Sequence, residues 1–327
     1  MPKVSVIMPA YNAEKYIKEA IDSILSQTFQ DFEFIILNDC SQDDTENIIL
    51  SYQDDRIVYL RNEKNMGVAA TLNRGLVVAK GEYIARMDSD DISLPDRLAK
   101  QAAYLDSHPD VAILGTALER FGEDIPAQLR SFSSDPQQMK IALFFSCGLA
   151  HPTIMMRAAV IQSLGGYDLA YEGLEDYELW CRVTRQHQVT ALPEVLFRYR
   201  VHAGQVTRNP SEKYLSRMRS LKNRQLAELG IEPEEELAEC YFRFCIGKRP
   251  ENLQEVTAFC KLLEMVLEAN QQTKVYDGKK LRGNFKNVAV SVALNLQNKD
   301  ALELCNNQKL FSAFALCTEK IKRSLRH

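Results

Sequence analysis

Short apolar runs alternate with stretches of helical period through the N-terminal part of the chain, and that alternation restricts it to a few architectures. Residues 4–8, halted by Pro9, and residues 83–85 are short apolar runs, and residues 32–37 and 57–60 read as further strands. Between them Ile17, Ala20, Ile21, Ile24 and Leu25 follow helical spacing, as do Ile48, Ile49 and Tyr52, and then Val68, Leu72, Leu76 and Ala79. Asn12 stands where it would cap the first helix, Asp43-Asp44-Thr45 would start the second, and Gly81 would close the third. The pattern predicts the α/β class, with a Rossmann-like, mostly parallel sheet flanked by helices and ligands outside the carboxyl ends of the strands. Pro9-Ala10-Tyr11-Asn12, Asn38-Asp39-Cys40-Ser41 and Met87-Asp88-Ser89-Asp90-Asp91 each follow a strand, so residues distant in sequence are predicted to share one crevice.

The last of these segments carries the chemistry. Asp88, Asp90 and Asp91 offer hard oxygen ligands at a strand mouth, the setting in which Mg²⁺ or Mn²⁺ is held while substrate phosphates complete its shell. In an extended segment Asp88 and Asp90 would point to one side and Asp91 to the other, and Asp90 is read as the metal ligand with Asp88 as a ribose contact or second ligand. The bland alternative is a group of acids favouring the dipole of the helix that starts near Pro95. Neither G-x-G-x-x-G nor G-x-x-x-x-G-K-[ST] occurs, so phosphates would be held through the cation.

At 327 residues the chain is long enough for two modules. Residues 1–210 are predicted to form the sheet domain, with 111–116, 140–145, 151–157 and 196–201 as its later elements. Residues 211–327 are predicted to form an all-helical module, broken at 230–233, 247–250 and 277–278. A net charge of −4 argues against nucleic acid as a partner, which would call for clustered cations. Two basic runs stand out: Lys320, Lys322, Arg323 and Arg326 near the end, and Lys279, Lys280, Arg282 and Lys286 before it. Either could lie on the anionic inner face of a membrane, at about 1 kcal/mol per basic residue, or could be a solvated helix face. No window resembles a signal peptide or a membrane span, and the eight cysteines form no C-x-x-C pair, so a cytoplasmic, at most peripherally bound protein with reduced thiols is expected. The helical module is also a candidate homodimer contact.

Beyond single segments, Pro9-Ala10-Tyr11-Asn12, Asn38-Asp39-Cys40-Ser41, Asn65-Met66-Gly67 with Asn73-Arg74-Gly75, Gly81-Glu82-Tyr83, Met87-Asp88-Ser89-Asp90-Asp91 and Glu175-Asp176-Tyr177-Glu178-Leu179-Trp180 occur in this order. As a set they resemble the motifs of the inverting glycosyltransferases of family 2, over roughly residues 1–205. The resemblance implies the GT-A fold, a nucleotide-sugar donor and a Mn²⁺ or Mg²⁺ cofactor. It places Pro9, Tyr11, Asn38, Asp39 and Gly67 on the nucleotide, Asp88 on the ribose and Asp90 on the metal, with His202 either on the metal or diphosphate or a satisfied structural histidine. Asp176 becomes the general base that takes the acceptor's proton, and Glu175 an acceptor or donor-sugar contact. His151 would shape the acceptor loop, and Trp180 is either core or a stacking surface for sugar.

Two positions depart from the family pattern. Asn38 stands where an acid is usual, though its amide could still bond a uracil, and Cys40 stands at a glycine position, which implies that no positive φ is required there. The function expected is metal-dependent, inverting transfer of a hexose from a nucleoside diphosphate sugar, UDP-linked, to a glycan or lipid-linked glycan acceptor of a bacterial surface polysaccharide or glycoprotein. The alternative, motivated by the two departures, is a non-catalytic nucleotide-sugar-binding partner subunit of a glycosyltransferase complex. A nucleotidyltransferase is disfavoured because no Gly- and Arg-rich phosphate loop opens the chain.

Overall fold

Seven-residue strands with almost no exposed position can be satisfied only in a sheet covered on both faces. The computed structural model describes residues 1–122, 125–202, 211–248 and 250–295, and it gives the first two strands that place. Strand β1 (Val4–Ala10) pairs in parallel with β2 (Phe32–Asn38), every residue of which is buried. The next two strands, β3 (Ile57–Arg61) and β4 (Tyr83–Arg86), extend the layer in the order β3-β2-β1-β4, again all parallel. Helix α1 (Ile17–Leu25) buries Ile17, Ala20, Ile21 and Ile24 in one core with Val4, Val6 and Met8. A second short helix, α2 (Thr45–Leu50), adds Ile49 to that core. Helix α3 (Val68–Val78) covers the opposite face: a Cβ on its Gly75 would meet Ile7 Cγ2 at 2.7 Å and Leu37 Cδ1 at 3.1 Å, so the glycine permits the close approach.

Beyond β4 the layer becomes mixed. The elements that follow are β5 (Ile92–Ser93), α4 (Arg97–Ser107), β6 (Val111–Gly122), β7 (Ile125–Arg130), α5 (Pro136–Phe145), β8 (Met155–Arg157), α6 (Ala158–Ser163), α7 (Glu175–Val183) and β9 (Gln188–Arg200). The sheet continues β4-β8-β6-β9-β5, with β7 paired to β6. Only β6 and β9 run parallel in this part, so the expected parallel sheet is confined to the half built by the first four strands. Both β6 and β9 are longer than their apolar segments foretold. Polar Glu119 and Arg120 lie within β6, and the pairing skips Pro193-Glu194 in a register shift, so no simple alternation marks either strand.

Two local expectations are corrected. Helix α1 starts at Ile17, and Asn12, instead of capping it, accepts from Gln42 N through Oδ1 (2.9 Å) and donates its own N–H to Ser41 Oγ (3.0 Å). Nor does Gly81 close α3, which ends at Val78; it serves a close crossing instead, because a Cβ there would lie 2.4 Å from Ser5 N and 2.7 Å from Val4 C. Both obstacles are backbone. Gly81→Ala is therefore expected to cost about 2–3 kcal/mol, read as a lower denaturant midpoint at unchanged slope.

The chain divides into two compact units, one of residues 1–143 and 147–217, the other of 144–146 with 218 onward, so the division falls within α8 (Glu212–Ala227). The second unit is helical, with α9 (Glu235–Cys245), α10 (Leu253–Thr273) and α11 (Gly278–Asn295). Phe144 stacks on Tyr241 (4.9 Å) in its core, and the buried Lys222 ammonium donates to Phe144 O (2.7 Å) and Gln225 Oε1 (3.0 Å). The basic residues Lys320, Lys322, Arg323 and Arg326 lie outside the described residues. Among those described, no helix is long and apolar enough to cross a membrane, and the six described cysteines form no disulfide.

Candidate active site

Strand β4 delivers the acids. Its chain leaves the sheet at Arg86 and turns at Ser89-Asp90, so the segment is not extended and Asp91 is brought in beside Asp88 and Asp90. One carboxylate oxygen from each of the three lies within 4.8 Å of the others. The expectation that Asp91 would face away is corrected by that turn. Arg86, buried behind the cluster, is ion-paired with Asp88. Asp90 Oδ2 and His202 Nε2 are 2.9 Å apart, which joins the end of β9 to the cluster. Asp91 accepts from Arg200 N through Oδ1 (2.7 Å), while its Oδ2 is buried with no hydrogen-bond partner among the described residues. Burial raises the Asp88 carboxyl, and burial with the charges of Asp88 and Asp90 raises Asp91 much further. A crowded set of oxygens, one of them orphaned, beside an imidazole is a donor set that fits Mn²⁺ or Mg²⁺.

Buried polar side chains on α4 hold this segment from behind. Arg97 donates through Nη2 to Arg86 O (2.7 Å) and Ile154 O (3.1 Å), and through Nε to Gln101 Oε1 (3.0 Å). Gln101 in turn donates to Leu114 O (2.7 Å) and Thr153 O (2.9 Å). Burial, with Arg86 nearby, lowers the Arg97 guanidinium to about 9. Neither residue carried a functional mark in the sequence, because a polar residue on a helix reads as a solvated face.

The expected nucleotide side forms from the ends of β1 and β2. Tyr11 exposes half its surface just past β1, beside the half-buried Pro9. Asp39 uses both oxygens on backbone, accepting from Met66 N (2.8 Å) and Gly67 N (3.0 Å), and so shapes the loop at residues 62–67. Asn38 is fully buried, with Oδ1 accepting from Ser41 N (2.9 Å) and Nδ2 donating to Tyr59 Oη (3.1 Å), so its amide is engaged in the protein's own loop network. Cys40 has φ 65, so the positive φ judged unnecessary there is present, at about 1–3 kcal/mol of strain. Both departures thus have structural explanations, and neither requires the loss of catalysis.

Glu175 and Asp176 open α7, where the helix dipole favours negative charge. The helix is fixed by Glu178, fully buried and ion-paired with Arg182 (2.7 Å), and by Arg182 bonds to Leu164 O and Gly166 O (both 2.7 Å). Asp176 remains partly exposed; Oδ1 accepts from Tyr177 N (2.6 Å), and Oδ2 lies 3.6 Å from the Cys147 thiol. Burial raises the Asp176 carboxyl and, with the Asp176 charge, raises the Cys147 thiol well above its ordinary range. His151 is buried, bonded through Nε2 to Tyr167 Oη (2.9 Å), and kept neutral by burial and by Arg86. Trp180 is fully buried with its ring 5.7 Å from His151, so it belongs to the floor and offers no face to a sugar. Arg86, Cys147 and Glu172 are the site residues for which sequence gave no role.

Burial, followed by the Asp176 charge, raises Glu175 from 4.5 to about 7. The folded state then holds a proton that the unfolded chain releases, so stability falls as pH rises through that interval. Glu175→Gln is expected to flatten the fall, matching wild type near pH ~4 and exceeding it above pH ~7, as denaturant midpoints across pH would record.

A mixed α/β layer with acids at one rim and a carboxylate pair opening a nearby helix has the GT-A architecture of nucleotide-sugar transferases. The profile of glycosyl transferase family 2 matches residues 5–164. An uncharacterized glycosyltransferase of Methanocaldococcus jannaschii is 36% identical over 229 residues, 68% of this chain and 76% of that protein. The Escherichia coli UDP-Glc:alpha-D-GlcNAc-diphosphoundecaprenol beta-1,3-glucosyltransferase WfaP is 30% identical over 250 residues, 76% of this chain and 94% of that protein. Among solved structures, S. aureus TarS 1–349 in complex with UDP-GlcNAc superposes with a TM-score of 0.57 at 22% identity, covering 82% of this chain and 81% of that one. The chain belongs to glycosyltransferase family 2 and is a glycosyltransferase.

Proposed function

We propose that the protein transfers a hexose, with inversion, from a UDP-sugar to a glycan acceptor carried on a lipid diphosphate, during assembly of a bacterial surface polysaccharide. The observation that carries this reading is the pairing of a three-acid cluster after β4, one of whose buried oxygens has no hydrogen-bond partner among the described residues, with a partly exposed carboxylate at the start of α7. The donor and acceptor classes are supported by the activity for which the E. coli relative is named and by the ligand of the TarS structure.

Asp90 and His202 would hold Mn²⁺ or Mg²⁺, with Asp88 and Asp91 close enough to share it. Such an ion supplies charge compensation for a departing diphosphate. Tyr11 offers a ring on which the nucleobase can stack, and Asp39 acts through the loop it shapes. Asp176 takes the proton of the acceptor hydroxyl as that oxygen attacks the anomeric carbon, and burial raises its affinity for that proton. One displacement suffices, with no covalent enzyme intermediate.

A cytoplasmic location, with peripheral attachment where the lipid-linked acceptor resides, belongs to the same proposal. The test is release of UDP from a panel of UDP-sugars with Mn²⁺ and undecaprenyl-diphosphate-linked acceptors, with the product identified by mass. Release of another nucleoside diphosphate would replace the donor class, and absence of any acceptor-dependent release would overturn the reading.

A further inference from the structure

Four successive backbone N–H groups at the start of α3 are satisfied by two carboxylates from separate parts of the chain. Met66 N and Gly67 N donate to Asp39 (2.8 and 3.0 Å), and Val68 N and Ala69 N donate to Glu172 Oε1 and Oε2 (2.7 and 3.0 Å). Helix α3 has no capping side chain or acid of its own in the first turn. Gly67 has φ 85, and a Cβ there would lie 2.6 Å from Glu172 Oε1, so the bidentate contact requires glycine. On the other side Glu172 O accepts from Arg217, and three residues further along the chain Glu175 opens α7, followed by Asp176. The loop is short: Gly173 N donates to Glu175 Oε2.

We propose that Glu172 is a positioning residue that registers the general base against the nucleotide loop. Its carboxylate grips the helix start that Asp39 also shapes, and its main chain leads directly into Asp176. A nucleotide seated on residues 62–67 and an acceptor activated by Asp176 are thereby held at a fixed separation. The simpler possibility is a staple that only stabilises the fold, since an acid at a helix N-terminus is favoured by the helix dipole. The two differ in what they do to catalysis. A register change of about 1 Å can cost about a hundredfold in rate, whereas a staple lowers stability and leaves the rate of the folded molecules alone.

The inference rests on Asp176 being the base, and two experiments separate its failure from that of the transferase reading. In the first, Glu172→Gln, which keeps the size but offers one acceptor oxygen, is compared with Glu172→Ala by UDP release at saturating donor and acceptor. A fall in kcat of about 10–100-fold is expected, with donor KM changed by less than about threefold; in the Asp176→Asn background the same substitutions should cost less than about threefold. Equal losses in both backgrounds, or an unchanged kcat, would overturn the proposal.

In the second, amide exchange of the full chain is followed with UDP and Mn²⁺ as the probe. Wild type should gain protection at 66–69 and at 172–176 together, and Glu172→Gln at 66–69 alone. Protection at 172–176 that survives the substitution would overturn the proposal even if no sugar donor were ever turned over.

Discussion

Asp176→Asn should reduce sugar transfer by about 10²–10⁴-fold while leaving UDP affinity within a few-fold of wild type. The amide keeps the shape of the carboxylate and can still accept from Tyr177 N, now 2.6 Å away, so the packing of α7 is retained. What is lost is a group able to take a proton. The effect should therefore fall on kcat and scarcely on donor KM. Steady-state kinetics with the preferred donor and acceptor, beside calorimetry with UDP, make the distinction. A variant with full transfer would remove Asp176 from its role and leave Glu175, whose carboxyl is raised to about 7, as the next group to examine.

Asp90→Ala should lower transfer at least about a hundredfold and abolish binding of Mn²⁺ in the presence of UDP, because compensation of diphosphate charge is worth several kcal/mol. Chelation of the wild type should reproduce the loss, and added Mn²⁺ should restore it there but not in the variant. Titration calorimetry gives the metal result independently of turnover. Asp90 is the sharpest choice within the cluster: Asp88 is ion-paired with Arg86 and Asp91 holds Arg200 N, so replacing either also disturbs the scaffold. Retention of both metal binding and transfer in Asp90→Ala would contradict the assignment.

The parallel half of the sheet was legible because β1 and β2 are predominantly apolar, with only Ser5, Glu33 and Asn38 polar, and the intervening helices keep one apolar face. The acids after β4 were legible because they are adjacent in sequence. Their arrangement was not, since the Ser89-Asp90 turn that folds Asp91 inward leaves no periodic trace. The second half of the sheet was poorly legible because β6 and β9 find each other across a register shift at Pro193-Glu194, where pattern rules break down. Glu172 was invisible for a different reason: its partners Val68 and Ala69 are 104 and 103 residues away, and a single glutamate in a loop has no local signature. Arg97 and Gln101 illustrate a general limit, because burial of a helix's polar residues is decided by the carbonyls they meet, and those come from β4, β6 and the segment before β8.

The loops after β1 and β2 are cross-stitched. Besides the Asn12 bonds, Ala13 N donates to Thr45 Oγ1 (2.8 Å), Glu14 N to Asp43 Oδ2 (3.1 Å), and Asp44 N back to Glu14 Oε2 (2.9 Å). Ordering a free residue costs about 1–2 kcal/mol, so a cradle already stitched spares an incoming ligand that entropy. Under the proposed function, the rim that would greet the nucleobase is accordingly a rigid jaw, set in shape before the ligand arrives.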